Sequence, residues 1–325
     1  MIYTLTFSPA VDYIIELDNF ELGKINRSTK EDMIPGGKGI NVSFVLATLG
    51  RESIATGFLG GFTGDFIRNE LTKNGVKSCF VKTPGNNRIN IKIRGEIETA
   101  INGSGPVISN EKIEELIEVL KGLKDDDILV ISGTIPTNLP ENIYEIILER
   151  LKDIKFRLVV DAEKKILLYT LRYKPFLVKP NFSELEAIFN VKIDGFEDTV
   201  RYARKLLARG ALNVIVSLGR DGAILVNDKT VLRLDSPGSH LEVISTVGAG
   251  DSLVAGFIDE YLRSNDMIKA LKWGLACGTA TCISIGLAKK EDVIKLYQEF
   301  GNKEDCEWET AENGMYFSQL KLIQK

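Results

Sequence analysis

The sequence predicts an α/β fold, a mainly parallel central sheet covered by helices, with a small antiparallel β-sheet projecting from it. Short β-branched runs alternate with longer helical patterns. IYTLTF, SIATGFLG, DILVIS, RLVVDA, PFLVKP and NVIVSLG are separated by stretches such as NVSFVLATLG and DFIRNELTKNG, the signature of a parallel sheet with helices on its faces. Each strand run ends in a loop carrying Ser, Asn, Asp or Gly, where open α/β sheets place their ligands. Two segments break the alternation: Val11 to Ile34 reads as strand, turn and strand, and Arg88 to Ile101 alternates with period two around a Gly95-Glu96 turn. Neither has a helical pattern between its two strands, so they form the projecting sheet.

The first strand ends in FSPAVD, which sets Asp12 at its carboxyl end. There it is either a turn aspartate or a bidentate acceptor for two hydroxyls. Lys24 and Arg27 follow on the projecting segment, as solvated charges or as an addition to an anion site. Next comes Pro35-Gly36-Gly37-Lys38-Gly39-Ile40-Asn41 before an amphipathic helix. A backbone nest, a cation and an amide together suit hydroxyls and a phosphate on a small polar ligand. No GxxxxGK[ST] occurs and neither glycine cluster completes GxGxxG, which excludes the two commonest nucleotide fingerprints. Arg88 opens the second projecting segment, where its planar fork could clamp a phosphate.

Further along, Ile113, Leu116, Ile117 and Leu120 recur at helical spacing after the cap candidates Ser109-Asn110, which predicts a helix over Lys112 to Leu123. Lys179-Pro180-Asn181-Phe182-Ser183-Glu184 carries a capping box, Asn181 with Glu184 three residues on. The same two side chains could organise water around a Mg²⁺. Ser217-Leu218-Gly219-Arg220-Asp221-Gly222 reads as a turn between two strands, close enough in type to approach a nucleotide. Last, Ser245-Thr246-Val247-Gly248-Ala249-Gly250-Asp251-Ser252 runs into LVAGFIDEYL. A glycine turn that opens a helix converges backbone N–H groups and the positive dipole end on one point, which favours an anion. Asp251 there either complements the dipole or accepts a proton from an attacking alcohol.

Composition narrows the function. With 325 residues, 44% hydrophobic, 26% charged and a formal net charge of -4, the chain is an ordinary globular protein without the clustered Lys and Arg of a nucleic-acid surface. Cys79, Cys277, Cys282 and Cys306 form no CxxC pair, so reduced thiols with a packing role are expected. His240 is the single histidine, in a loop-like SPGSH context, and reads as structural or incidental. MIYTLTFSPAVD has no signal-peptide pattern, and the uncharged run from Trp273 to Ala288 is shorter than a membrane span and reads as a buried helix. A cytoplasmic protein with no membrane and no nucleic-acid partner is expected.

The ordered set PGGKGIN, KPNxxE, SLGxxG and TVGAGD resembles the ribokinase-like (PfkB) carbohydrate kinases over nearly the whole chain. TLTFSPAVDY, RINIKI with ETAINGSGP, and ISGTIP lean within that family to the branch acting on fructose 1-phosphate, with the tagatose-6-phosphate branch next. The resemblance implies a three-layer α/β/α body with a β-sheet lid, here about 12–34 and 86–103 within a single domain spanning 1–325. It implies ATP- and Mg²⁺-dependent phosphorylation of a sugar phosphate. Asp251 would be the catalytic base, with Gly248, Ala249 and Gly250 as the anion hole. Asp12, Gly36, Gly37, Lys38 and Asn41 would hold the sugar, Arg88 its phosphate, with Ser132 nearby and Lys24 and Arg27 adding charge. Lys179, Asn181, Glu184, Ser217, Gly219, Gly222 and Thr246 would serve the nucleotide, with Asn181 and Glu184 reaching Mg²⁺ through water. A homodimer through the lid is a further implication. The alternatives are tagatose 6-phosphate or fructose 6-phosphate as substrate, an unphosphorylated sugar or a nucleoside, and a sugar-phosphate-binding protein without catalysis. Ser8 stands where the family commonly has Asn, and Asn87 where it has Thr before the arginine. About 302–325 lies beyond the resemblance, as a packed extension without an assigned role.

Overall fold

A computed structural model of the chain describes residues 1–95, 98–162, 164–302, 306–310 and 316–319. The chain begins with β1 (Ile2–Thr6), β2 (Ala10–Glu16) and β3 (Lys30–Gly36), followed by α1 (Lys38–Leu49), β4 (Ile54–Leu59) and α2 (Gly61–Lys73). Then come β5 (Lys77–Lys82), β6 (Arg88–Arg94), β7 (Thr99–Asn102), α3 (Asn110–Leu120), β8 (Ile128–Ser132), α4 (Ile143–Arg150), β9 (Arg157–Asp161) and α5 (Lys164–Thr170). The second half runs β10 (Leu177–Val178), α6 (Phe182–Phe189), α7 (Gly195–Ala208), β11 (Asn213–Ser217), β12 (Ala223–Asn227), β13 (Val231–Leu234), α8 (Ala249–Ser264), α9 (Met267–Cys282) and α10 (Lys290–Glu299). Two strands, β14 (Cys306–Thr310) and β15 (Tyr316–Gln319), complete it.

The large sheet has the order β15-β14-β13-β12-β11-β10-β9-β8-β1-β4-β5. Pairing is parallel from β5 across to β11 and antiparallel from β11 to β15. Its central strands are buried on both faces, as covered parallel strands must be, and their side chains divide by the strand period of two. On β8, Leu129 and Ile131 join the core built with α3, α4 and α7, whereas Ile128 and Val130 join the core built with α1, α8, α9 and α10. Two helix layers on one sheet give the expected three-layer body. The predicted helix after Ser109 is α3; the Ser109 hydroxyl caps it by accepting from the Lys112 N–H, and the four predicted core residues are its buried ones.

The small sheet has the order β3-β2-β6-β7. Its two predicted hairpins, β2 with β3 and β6 with β7, are antiparallel, and the seam between β2 and β6 is parallel. Topology dictates that seam. β2 continues outward from β1 and β6 from β5, two strands of one parallel sheet, so both leave the body in the same direction. Glu96 of the expected turn lies outside the described residues.

β5 and β13 carry no signal that the alternation pattern could catch. β5 is the edge strand KSCFVK, and its Cys79 is exposed, a correction to the expected packing role that Cys277 does fill. His240 is exposed in a turn. The run from Trp273 to Ala288 is helical only as far as Cys282, in α9, which is buried against α8; beyond it Ile285 is exposed, a correction to the expected buried helix. Among the described residues, no helix is long and apolar enough to cross a membrane. Beyond residue 302, β14 pairs with β13 through Val231↔Trp308 and Arg233↔Cys306 and lengthens the antiparallel end of the sheet.

Glycines bring α8 and α9 together. A Cβ on Gly274 would stand 2.7 Å from the Leu253 carbonyl oxygen, and one on Gly256 2.6 Å from the Cys277 sulfur. Backbone does not yield as a side-chain tip does. Gly274→Ala is therefore expected to lose about 1–3 kcal/mol, since overpacking outweighs the roughly 1 kcal/mol gain in helix propensity. Urea unfolding measures it, and an unchanged or raised midpoint would refute the tight contact.

Candidate active site

The two glycine clusters meet. α1 and α8 begin side by side above the carboxyl ends of β8, β9 and β10, and Asn41 in the first turn of α1 donates through Nδ2 to Asp251 Oδ2 at 2.7 Å. They border one cleft of about 1290 Å³ that also takes in the inner face of the small sheet. Most of the predicted residues line it, in three groups.

The first group surrounds Asp251. Gly248 caps α8 in the left-handed region, φ 82°, which sets Asp251 in the first helical turn, 5% exposed. The Ala249 N–H turns back to the Thr246 carbonyl at 3.3 Å. Among the described residues the N–H groups of Gly248, Gly250 and Asp251 meet no acceptor, leaving three donors at the positive end of the helix. Burial raises the Asp251 carboxyl, nearby Asp161 raises it further, and Asn41, Lys38 and Lys179 oppose them; the balance is a pKa of about 7. Asp161 anchors both lysines. Its Oδ1 lies 3.5 Å from Lys38 Nζ and 3.2 Å from Lys179 Nζ, at 1% side-chain exposure. Burial works against the Lys38 charge, but Asp161, Asp251 and Glu184 outweigh it and hold the ammonium above its ordinary range.

The second group lies on the small sheet. Asp12 accepts from Asn90 Nδ2 at 2.8 Å and from Lys92 Nζ at 2.7 Å. Gly36 leaves its carboxylate open; a Cβ there would stand 3.2 Å from it. Gly37, at φ 125°, makes the turn into α1. Arg88 donates through Nε to the Ser8 carbonyl at 3.2 Å and forms no ion pair among the described residues. Burial draws its pKa down, with Asp12 opposing. The preceding Asn87 is buried, accepting from the Gly60 N–H at 2.8 Å and donating to the Phe58 carbonyl at 2.9 Å. It fastens the root of β6 to the end of β4. Ser8 meets Arg88 through its backbone carbonyl, and the Asn87 side chain serves as framework.

The third group is Lys179, Asn181, Glu184, Ser217 and Thr246. The capping box is complete: Asn181 Oδ1 accepts from the Glu184 N–H and Glu184 Oε2 from the Asn181 N–H, each at 2.8 Å. Ser217 bridges to Asn181 across the ends of neighbouring strands.

Other predicted residues stay outside the cleft. Lys24 and Arg27 are exposed on the connection between β2 and β3, with the Lys24 ammonium on Glu21. Gly219 and Gly222 shape the turn between β11 and β12, where a Cβ on Gly222, φ 90°, would overlap the Leu234 carbonyl. Ser132 is fully buried beside Asp161 in register, its hydroxyl without a partner among the described residues. Cleft residues that escaped the sequence reading include Asp161, Asn90 and Lys92. The signals were available. Asp161 ends RLVVD as Asp12 follows IYTLTF, and Asn90 and Lys92 share the alternating face of RINIKI with Arg88.

Known proteins are similar to this chain over most of its length. The profile of the pfkB family carbohydrate kinases matches residues 5–293. The 1-phosphofructokinase of Bacillus subtilis is 41% identical over 299 residues, covering 92% of this chain and 98% of that protein. The D-tagatose-1-phosphate kinase of Bacillus licheniformis is 38% identical over 299 residues, 92% of this chain and 97% of that one. The solved phosphofructokinase-2 of Escherichia coli in complex with fructose-6-phosphate superposes with a TM-score of 0.85 at 27% identity, over 92% of this chain and 99% of that chain. With a family match over most of its length and relatives above a third identical, the chain belongs to the pfkB family of carbohydrate kinases.

Proposed function

We propose that this kinase transfers the terminal phosphoryl group of ATP to the free primary hydroxyl of fructose 1-phosphate, giving fructose 1,6-bisphosphate. The observation that carries it is one cleft with a desolvated carboxylate at a helix N-terminus at one end and Asp12 beside the unpaired cation Arg88 at the other. An alcohol between Asp12 and Asp251 meets an acceptor for its proton, and a phosphate it already carries meets a guanidinium fork. Asp251 takes the hydroxyl proton as the oxygen attacks. The N–H groups of Gly250 and Asp251, with Lys38 or Lys179, stabilise charge on the transferring phosphoryl oxygens. Closure of the small sheet over the sugar excludes water as a competing nucleophile.

Mg²⁺ fits the donors present in a limited way. Among the described residues no group of three or more acidic, histidine or cysteine side chains could hold a metal by itself. Asp161 has a buried oxygen without a partner among the described residues, and Glu184 lines the cleft with one oxygen spent on its cap. Magnesium takes few carboxylates when it arrives on nucleotide phosphates, so these two would hold it there, where it shields the triphosphate charge. Asn181 spends its carbonyl oxygen on the cap and is left with an N–H donor, which suits a phosphate oxygen.

The relative named for D-tagatose 1-phosphate favours a second reading, a ketohexose 1-phosphate of the other C4 configuration. ADP release is expected on fructose 1-phosphate ahead of tagatose 1-phosphate, tagatose 6-phosphate, fructose 6-phosphate and fructose. Turnover on no sugar phosphate would overturn the reading. Asp251→Asn should lower kcat by roughly 10²-fold or more with sugar-phosphate binding kept; near-normal turnover would remove Asp251 from the base role.

The raised carboxyl gives that base a pH signature. Its active form is the carboxylate, so kcat/KM of the free enzyme should fall as pH drops below about 7. The folded state holds this proton more tightly than the unfolded one. Stability is therefore full at low pH and declines as pH rises through about 7. Asp251→Asn should melt higher than the native protein at alkaline pH, by up to ~2–4 kcal/mol, and level with it near the ordinary carboxyl value. A variant equally unstable at every pH would show that the carboxylate is not desolvated.

A second copy of the chain is the occupant we propose for the small sheet's outer surface and its β2–β3 connection. Leu22 is 88% and Ile25 86% exposed, with Phe20, Met33 and Ile101 also exposed, an apolar patch that a partner would cover. Light scattering should give a dimer, and Ile25→Glu a monomer; a monomeric native chain would refute it.

A further inference from the structure

The sugar end of the cleft contains a cation to which the family resemblance gives no role. Arg88, Asn90 and Lys92 lie at alternating positions of β6 and all face the cleft. Lys92 Nζ sits 2.7 Å from Asp12 Oδ2, with 16% of the lysine side chain and 11% of the aspartate side chain exposed. Asp12 thus arrives at the site already neutralised. Its other oxygen is held by Asn90, and the side toward Gly36 stays open for hydroxyls.

We propose that Lys92 makes the sugar site selective for phosphorylated over free sugars, by cancelling the charge of Asp12 and leaving Arg88 free for the phosphate. This rests on the kinase reading above and concerns the sugar half of the same site. An unpaired Asp12 carboxylate would do two kinds of harm to an anionic substrate. It would repel the phosphate dianion in a cleft of low effective dielectric. It would also draw the Arg88 guanidinium, which has no other carboxylate partner among the described residues, into an ion pair that occupies the fork. A free sugar carries no charge and gains nothing from the arrangement, because Asp12 accepts hydroxyl hydrogen bonds with or without Lys92. Lys92 is on this account a positioning residue with an electrostatic effect, and its signature is a difference between two ligands.

Titration calorimetry without nucleotide, with fructose 1-phosphate and fructose as probes, reads that difference. Lys92→Gln should weaken fructose 1-phosphate by roughly 10- to 100-fold, the range for removing one member of a desolvated charge pair, with fructose changed by no more than about threefold. In turnover, KM for the sugar phosphate should rise with kcat largely kept, and Lys92→Arg should restore most of the affinity. Equal weakening of both ligands would overturn the proposal and reduce Lys92 to a prop for Asp12; so would unchanged sugar-phosphate affinity. If the unpaired Asp12 unfolds the single variant, the double variant Asp12→Asn, Lys92→Gln carries no buried charge there. It should keep the native discrimination between the two ligands to within about threefold, with Arg88 still free, and a loss as large as that of the single variant would overturn the proposal. A native chain that binds fructose 1-phosphate but never turns it over would defeat the kinase reading and leave the binding comparison standing.

Discussion

The buried carboxylate of Asp161, held between two lysines, is the interaction on which the site depends. It ends a central parallel strand at 1% exposure, where an isolated charge would be prohibitively costly. Lys38 from the start of α1 and Lys179 from just beyond β10 make it tolerable. In doing so they are held facing the cleft, at the place where two helix N-termini already concentrate positive potential. One acidic residue thereby fixes two cations for an anionic ligand, without requiring a basic protein. The net charge of -4 and a phosphate-binding cleft are compatible for this reason.

The same carboxylate bears on the base. Asp251 is desolvated and feels Asp161 as a like charge, while Asn41 and both lysines oppose the shift. A carboxyl balanced near neutrality is a far better proton acceptor for an alcohol than one at its ordinary value, and it still ionises in use. That balance costs folding free energy, which the tight packing of α9 on α8 through Gly256 and Gly274 helps to offset. Stability of that helix pair and activity of the site are two aspects of one placement.

Much of this was legible in the sequence, and the remainder was hidden for physical reasons. Periodicity revealed β1, β4, β8, β9 and β11, because central parallel strands are apolar on both faces, and it revealed α1, α2 and α3, but not α4, α5 or α7. β5 was missed because an edge strand with exposed Lys77, Ser78 and Cys79 lacks that pattern. The parallel seam between β2 and β6 follows from where the two hairpins leave the body, which is a property of topology and of no local residue. Within the site, glycine clusters announced themselves by composition. Asp161 did not, because an acidic residue after a strand is common, and only the lysines from distant segments distinguish it.

The glycines themselves divide in a way composition conceals. Gly37 and Gly248 adopt φ 125° and 82°, so there the backbone conformation excludes other residues. Gly36 and Gly250 have no such conformation, and their requirement is space. A Cβ on Gly36 would press on the Asp12 carboxylate and one on Gly250 would stand 3.2 Å from Lys179 Nζ. Each cluster therefore pairs one glycine that turns the chain into its helix with one that leaves room for a ligand. Alanine at Gly36 or Gly250 would fold with little strain and narrow the approach to an acceptor or a cation. Alanine at Gly37 or Gly248 would strain the entry to α1 or α8 and displace Asn41 or Asp251 with it. The two kinds of glycine are alike in sequence and opposite in failure, binding in one case and assembly of the site in the other.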